Sequence, residues 1–300
     1  MLPIAFHPLF KHPLPEGHRF PMLKYELLPQ QLMHEGTALA TDFFEPAIPD
    51  LEFIYAVHEK AYVEHLLNLT LSPKAVRKIG FPLSAGLIER ELRIANGTIL
   101  GALKSLETGI SFNIAGGTHH AFTNRGEAFC LLNDQAIAAQ YLLSKKLVKK
   151  IVIVDLDVHQ GNGTAEIFEK NKAVFTFSMH GKSNYPFKKE VSDLDISLPD
   201  STMDSFYLNQ LYETLPKLIE QEKPDFIFYL AGVDILETDK LGKLSCTIEG
   251  CKKRDQFVLE LCKKHEIPVQ VSMGGGYSPE IKTIIDAHAN TFRIAHSVFH

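Results

Sequence analysis

Five short apolar runs, each ending in a polar segment of titratable or ligating residues, constrain this chain more than any other feature. The runs are residues 110–114 (ISFNI), 151–154 (IVIV), 173–177 (AVFTF), 226–230 (FIFYL) and 268–272 (PVQVS). They are rich in β-branched and aromatic residues, as strands buried on both faces of a parallel sheet must be. Longer amphipathic stretches separate them, at 87–107, 133–145, 202–222 and 247–265. Strands alternating with helices predict an α/β fold with a central, mostly parallel sheet and helices on both faces. A single domain is expected over residues 1–300, because no linker, low-complexity tract or fixed-period repeat divides them. Residues 8–29 hold five of the sixteen prolines and predict an irregular surface arm.

The polar segments at the ends of the runs matter most. ISFNI leads into AGGTHH, IVIV into DLDVHQGNG, AVFTF into SMHG, FIFYL into AGVD and PVQVS into MGGGY. In open α/β sheets ligands bind outside the carboxyl ends of the strands. Five such ends therefore contribute to one crevice. In DLDVH, the polar residues Asp155, Asp157 and His159 recur with period two, and an extended backbone would turn all three to one side. Such a group is costly to bury unless a cation neutralises it. Asp157, His159 and Asp234 supply two carboxylates and one imidazole from two strand ends. Three ligands with room for water is the arrangement of a catalytic metal. Oxygen and nitrogen donors without sulfur suit Zn²⁺ and also admit Fe²⁺ or Co²⁺.

A centre of that kind needs a base for its water and an acid for the leaving group, and histidine serves both near neutral pH. His119 and His120 reach the same crevice. Asp155 is placed to accept the ring N–H of His119 and keep it cationic, as an orienting carboxylate does. Asn162 does the same for His120 without adding charge, so His120 is read as the base and proton shuttle and His119 as the electrostatic stabiliser. Tyr277, after three glycines, aims a hydroxyl at a developing oxyanion. Phe129 and Tyr185 lie in loops after strand ends and are placed to wall a narrow apolar channel.

Composition excludes other classes. A net charge of −5, from 31 basic and 36 acidic residues, argues against direct nucleic-acid binding. The four cysteines form no C-x-x-C pair, which excludes a thiolate zinc site and a disulfide framework. The N-terminal MLPIAFHPLFKHPLP lacks the charged and helical parts of a signal peptide, and no apolar run approaches the ~20 residues of a membrane span. A cytoplasmic protein is expected.

These residues resemble the zinc-dependent histone deacetylase superfamily. The likeness rests on AGGTHHA, FCLLND, DLDVHQGNGT, the Ser178-Met179-His180 turn, AGVDILETDKLGKL and GGGY, in that order from about residue 115 to 277, with GHRFPMLKY and AVHEKAYVEHL upstream. The wording looks most like the class IV branch and its bacterial relatives. The resemblance implies an arginase–deacetylase fold with eight strands and hydrolysis of N-ε-acyl-lysine in proteins or peptides. It implies zinc at Asp157, His159 and Asp234, the histidine pair backed by Asp155 and Asn162, and Tyr277 on the substrate carbonyl. It further implies an acyl-lysine tunnel at Phe129, Tyr185 and Gly275, and potassium at Asp155, Asp157, His159, Ser178 and Met179. Arg19 looks like the arginine of an internal cavity beneath the metal. Three departures stand out: Asn162 replaces the aspartate of some branches, Thr118 stands where many relatives have Trp or Arg, and Tyr185 replaces a common Phe. The alternatives are a small-molecule amidohydrolase, such as an acetylpolyamine deacetylase, and an inactive acyl-lysine reader. Oligomeric state has no signature in the sequence.

Overall fold

The computed structural model describes residues 2–300. Eight strands form one sheet: β1 (Ile4–Ala5), β2 (Phe43–Phe44), β3 (Ile110–Asn113), β4 (Ile151–Asp155), β5 (Val174–Gly181), β6 (Leu194–Leu198), β7 (Phe226–Leu230) and β8 (Val269–Ser272). Their order is β2-β1-β3-β8-β7-β4-β5-β6, and every pairing is parallel. The five predicted runs are the contiguous block β3-β8-β7-β4-β5. Their carboxyl ends therefore lie side by side, which is what a shared crevice requires.

Ten helices accompany the sheet: α1 (Lys24–His34), α2 (Leu51–Tyr55), α3 (Lys60–Leu67), α4 (Pro73–Ile79), α5 (Ala85–Thr108), α6 (Asp134–Ser144), α7 (Asn162–Phe168), α8 (Asp204–Glu222), α9 (Ile248–Lys264) and α10 (Ile281–Phe299). Strand β3 shows how they divide. Ser111 meets Ser105 of α5 at 2.8 Å, and the Asn113 amide donates to the Ile94 carbonyl of α5 at 2.9 Å. Phe112, between them, stacks on Phe292 of α10 with ring centroids 4.0 Å apart. Alternate side chains of a strand point to opposite faces. Helices α5 and α10 therefore cover opposite faces of the sheet.

Two boundaries differ from expectation. Strand β5 continues past Phe177 to Gly181, because β6 pairs with it from Phe177↔Leu194 to Gly181↔Leu198. Ser178 and Met179 thus lie on the strand instead of in a turn. Residues 8–29 are no surface arm. They contain the start of α1, which accommodates Pro29, and they bury Phe10, Phe20, Met22, Tyr25 and Leu28. Pro29 removes a backbone donor, but burial of one face of α1 against α10 more than offsets it. All four cysteines are buried free thiols. Among the described residues, no helix is long and apolar enough to cross a membrane.

Candidate active site

The chain bends immediately after Asp155, so the DLDVH segment is not the extended strand that the period-two spacing predicts. Its order comes from aspartate turns. Asp155 Oδ1 accepts the N–H of Asp157 at 3.1 Å, and Asp157 Oδ1 accepts the N–H of His159 at 3.0 Å. An Asp side chain bonding its own backbone two residues on is a well-known loop device. The result separates the three side chains. Asp155 turns to His119, whereas Asp157 and His159 turn to Asp234.

His159 Nδ1 lies 3.1 Å from Asp157 Oδ1 and 3.1 Å from Asp234 Oδ2. One ligand atom from each of the three residues falls within 4.8 Å of the others, and all three residues are buried. The remaining carboxylate oxygens are already spent: Asp157 Oδ2 accepts the Gly275 N–H at 2.8 Å and Asp234 Oδ1 the Val158 N–H at 2.9 Å. Each carboxylate is thus held with one oxygen facing the shared centre. Burial works against a charged imidazole here. The hydrogen bonds to Asp157 and Asp234 outweigh it and raise the His159 pKa to about 10. Burial, and then the Asp157 charge, raise Asp234. Two buried carboxylates aimed at one imidazole nitrogen demand positive charge. A proton on Nδ1 supplies one unit of it, a divalent cation two. The donor set therefore fits a divalent cation.

Beside this centre the imidazole rings of His119 and His120 lie 4.1 Å apart. His119 Nδ1 pairs with Asp155 Oδ2 at 2.7 Å, and His120 Nδ1 with Asn162 Oδ1 at 2.6 Å. Burial lowers the basicity of His119, but the Asp155 carboxylate more than compensates and raises it. Burial lowers His120 well below its ordinary value, and the charges of His119 and His159 push the same way. The pair is built asymmetrically, the basicity of one ring raised and that of its neighbour lowered. The N-terminus of α7 fixes it, since Gly163 and Thr164 both donate to the His119 carbonyl, at 3.0 and 3.2 Å.

Two glycine turns complete the floor. Gly117 has φ +100°, and a Cβ there would meet the Gly274 Cα at 2.9 Å. The loops after β3 and β8 touch backbone to backbone, and only glycine permits it. At Gly275 a Cβ would overlap Asp234 Oδ2 and stand 2.8 Å from Asp157 Oδ2. The Gly275→Ala variant is expected to fold and to lose about 10- to 100-fold in divalent-metal affinity, the usual loss when a group supporting a ligand is displaced. A metal titration followed by calorimetry reads it, and unchanged affinity would show that the carboxylates do not depend on this contact.

Two cavities meet at the site. The inner one, of about 40 Å³, is lined by His119, His120, Asp157, His159, Gly275 and Tyr277 among others. The outer one, of about 420 Å³, shares His120, Phe129, His159 and Tyr277 with it and adds Tyr185. Gly275 thus lies in the inner cavity against the carboxylates, whereas Phe129 and Tyr185 line the outer one. The Tyr185 ring stands edge-on to His120 at 5.0 Å, and its hydroxyl is held by Glu127. Ser178 pairs with Asp155 across β4 and β5, and its Oγ lies 3.0 Å from His180 Nδ1. Met179 is next along the strand, fully buried.

Arg19 is not in the inner cavity. It is exposed, with its guanidinium 5.1 Å from the Phe129 ring on the outer side. His18 is anchored to the Gly80 carbonyl at 2.8 Å, and Phe20 is buried between Phe81 and Phe129. The side chain between two inward-facing neighbours turns outward. The arginine of the inner cavity is Arg90, buried and paired with Glu91. Lys24 is buried beneath the glycine loop, its Nζ 3.0 Å from the Gly274 carbonyl, and burial lowers its pKa to about 8 despite Asp234 and Asp157.

Sequence reasoning also missed Asp134 and Arg254. Asp134 Oδ1 accepts from the Gly117 and Thr118 backbone, at 2.9 and 2.8 Å, and so shapes the histidine loop. Its signal was present in the Asn133-Asp134 pair at the start of a helix. Arg254 donates from α9 to the Gly232 carbonyl at 2.5 Å and the Leu156 carbonyl at 3.3 Å, tying together the two strand ends that carry the acids. No spacing in the sequence marks it.

Comparison with known proteins agrees with the fold. The histone deacetylase domain family matches residues 18–292. A protein of Picosynechococcus sp., described as uncharacterized, is 45% identical over 297 residues, covering 99% of each chain. Histone deacetylase 2 of Arabidopsis thaliana is 31% identical over 201 residues, covering 66% of this chain and 52% of that protein. The crystal structure of an HDAC homologue from Aquifex aeolicus superimposes with a TM-score of 0.83 at 23% identity, over 98% of this chain and 83% of that one.

Proposed function

Because this chain belongs to the histone deacetylase family, with the deacetylase-type amide hydrolysis that membership implies, we propose that its substrate is N-ε-acetyl-lysine in a protein or peptide and its metal zinc. One observation carries the reading: the Asp157–His159–Asp234 cluster, the His119–Asp155 and His120–Asn162 pairs and Tyr277 all converge where the inner and outer cavities meet. The outer cavity accommodates the lysine stem between Phe129 and Tyr185. The inner one, of about 40 Å³, is of a size that suits an acetyl group.

When bound, the zinc ion supplies Lewis acidity toward the acyl oxygen and the attacking water. His120, held neutral by burial and by the charges of His119 and His159, and positioned by Asn162, takes the proton from that water. His119, held cationic by Asp155, stabilises the negative charge that develops beside it. The Tyr277 hydroxyl donates to the acyl oxygen. A protonated imidazole of the pair then gives the amine its proton. A monovalent cation, potassium in this reading, would be held by the main chains of Asp155, Asp157, His159 and Met179 with Ser178. The four free thiols suit a reducing, cytoplasmic setting.

The direct test is a panel of one lysine peptide bearing acetyl, octanoyl or myristoyl groups, with N-acetylputrescine alongside, on enzyme reconstituted with Zn²⁺, Fe²⁺ or Co²⁺. Acetyl peptide is expected to be hydrolysed with the highest kcat/KM. Faster turnover of acetylputrescine would move the substrate to small amides, and faster turnover of the myristoyl peptide would overturn the assignment of the inner cavity.

A further inference from the structure

Among the described residues, the outer cavity carries Arg19, Lys78 and Lys243 on its walls and no carboxylate. This mouth is positive on a chain whose net charge is −5. The nearby acid is already consumed. Glu127 Oε1 accepts from Lys78 at 3.3 Å and Arg125 at 2.9 Å, and its Oε2 accepts from the Tyr185 hydroxyl. Asp239 is spent on the backbone N–H groups of Tyr277, Leu241 and Gly242, at 2.6, 2.8 and 2.8 Å. Among the described residues, neither Arg19 nor Lys243 is in an ion pair. Lys189 reinforces the rim from below. Its Nζ donates to the Pro186 carbonyl at 2.7 Å and bonds Asn184, holding the loop that bears Tyr185. On that same loop Phe187 is 92% exposed, an apolar contact set among cations.

We propose that this rim selects acyl-lysine presented by an acidic polypeptide segment, with Arg19 and Lys243 reading carboxylates that flank the modified residue. The inference rests on the acyl-lysine function and specifies its substrate class. Uncommitted cations at the mouth of a cleft attract anionic segments and repel cationic ones over about a Debye length, roughly 10 Å at 0.1 M salt. A lysine-rich segment or an acetylpolyamine would bring like charge against Arg19, Lys78 and Lys243. An acidic segment meets the two free cations without displacing any existing pair.

Three acetyl-lysine peptides of equal length, flanked by Asp/Glu, by Ser/Ala or by Lys/Arg, test this on the zinc-loaded enzyme. At low salt kcat/KM is expected to fall about tenfold from acidic to neutral and again from neutral to basic, as charge complementarity at a rim does for encounter, and to converge in ~0.5 M NaCl. The double variant Arg19→Glu/Lys243→Glu should reverse the order. Equal kcat/KM for the three peptides, or an order untouched by the reversal, would overturn the proposal. If none of the peptides is hydrolysed, the acyl-lysine activity falls, and fluorescence anisotropy of the same labelled peptides still decides on the rim. Tighter binding of the acidic peptide, lost in the double variant, upholds it, and equal affinities overturn it.

Discussion

Tyr277→Phe is expected to lower kcat by about 10²- to 10³-fold, the loss that accompanies removal of one preorganised oxyanion donor. Metal stoichiometry and melting temperature should stay near those of the parent chain. The reasons lie in how the residue is held and in what it is not used for. Its backbone N–H is tied to Asp239 Oδ2 at 2.6 Å, and its ring lies 6.4 Å from the His159 ring and 6.2 Å from the Phe129 ring. Among the described residues its hydroxyl has no protein hydrogen-bond partner. That distinguishes it from Tyr185, whose hydroxyl is taken by Glu127. Burial, and then the charges of Asp157 and Asp234, push the Tyr277 hydroxyl well above its ordinary pKa, so it remains a donor. Since no internal bond is lost with the oxygen, the phenylalanine chain should fold as before. Steady-state kinetics on an acetyl-lysine peptide, with metal analysis of the same preparation, reads both quantities. A kcat equal to the parent's would remove Tyr277 from the chemistry.

How much of this was legible in the sequence depends on where each strand sits. The five central strands are buried on both faces, so each is written as an apolar run that periodicity can find. The strands that escaped lie at the edges or next to one. Strands β1 and β2 are two residues long, and β6 (LDISL) is half exposed and polar. Neither length nor pattern separates such segments from loop. The family resemblance supplied the count of eight that residue patterns alone did not.

The site was legible where function needs a residue type and obscure where it needs a position. Asp157, His159, Asp234 and the histidine pair stand out because groups so costly to bury cluster at strand ends. An extended strand through DLDVH, which the period of two suggests, fails because Asp side chains close turns on their own backbone and redirect the chain. Arg19 fails for a related reason. The family resemblance put this arginine in an internal cavity, yet the burial of Phe20 turns it outward. Lys24, Arg90 and Arg254 act through burial and long-range contact with backbone carbonyls or acids, to which local spacing is blind.

Asp234→Asn is expected to abolish metal binding and to reduce hydrolysis by at least about 10³-fold, because a three-ligand centre that loses a charged ligand also loses the Lewis acid. Asparagine is the informative change. Asp234 is fully buried, and its Oδ1 accepts the Val158 N–H at 2.9 Å, a bond that an amide oxygen preserves. What disappears is the negative charge that Oδ2 presents to His159 Nδ1 at 3.1 Å. The two versions also differ in stability. A ligand that binds only the folded chain stabilises it by about 2.7 kcal/mol at a hundred times its Kd, enough to raise the melting temperature of a chain this size by roughly 5 °C. Excess Zn²⁺ should therefore shift the melting of the parent chain and leave that of Asp234→Asn where it was. Elemental analysis should find about one zinc per parent chain and almost none in the variant. If the asparagine chain keeps its metal and its zinc-dependent shift, the cation sits elsewhere, and the roles given to His120, His119 and Tyr277 lose the centre around which they are arranged.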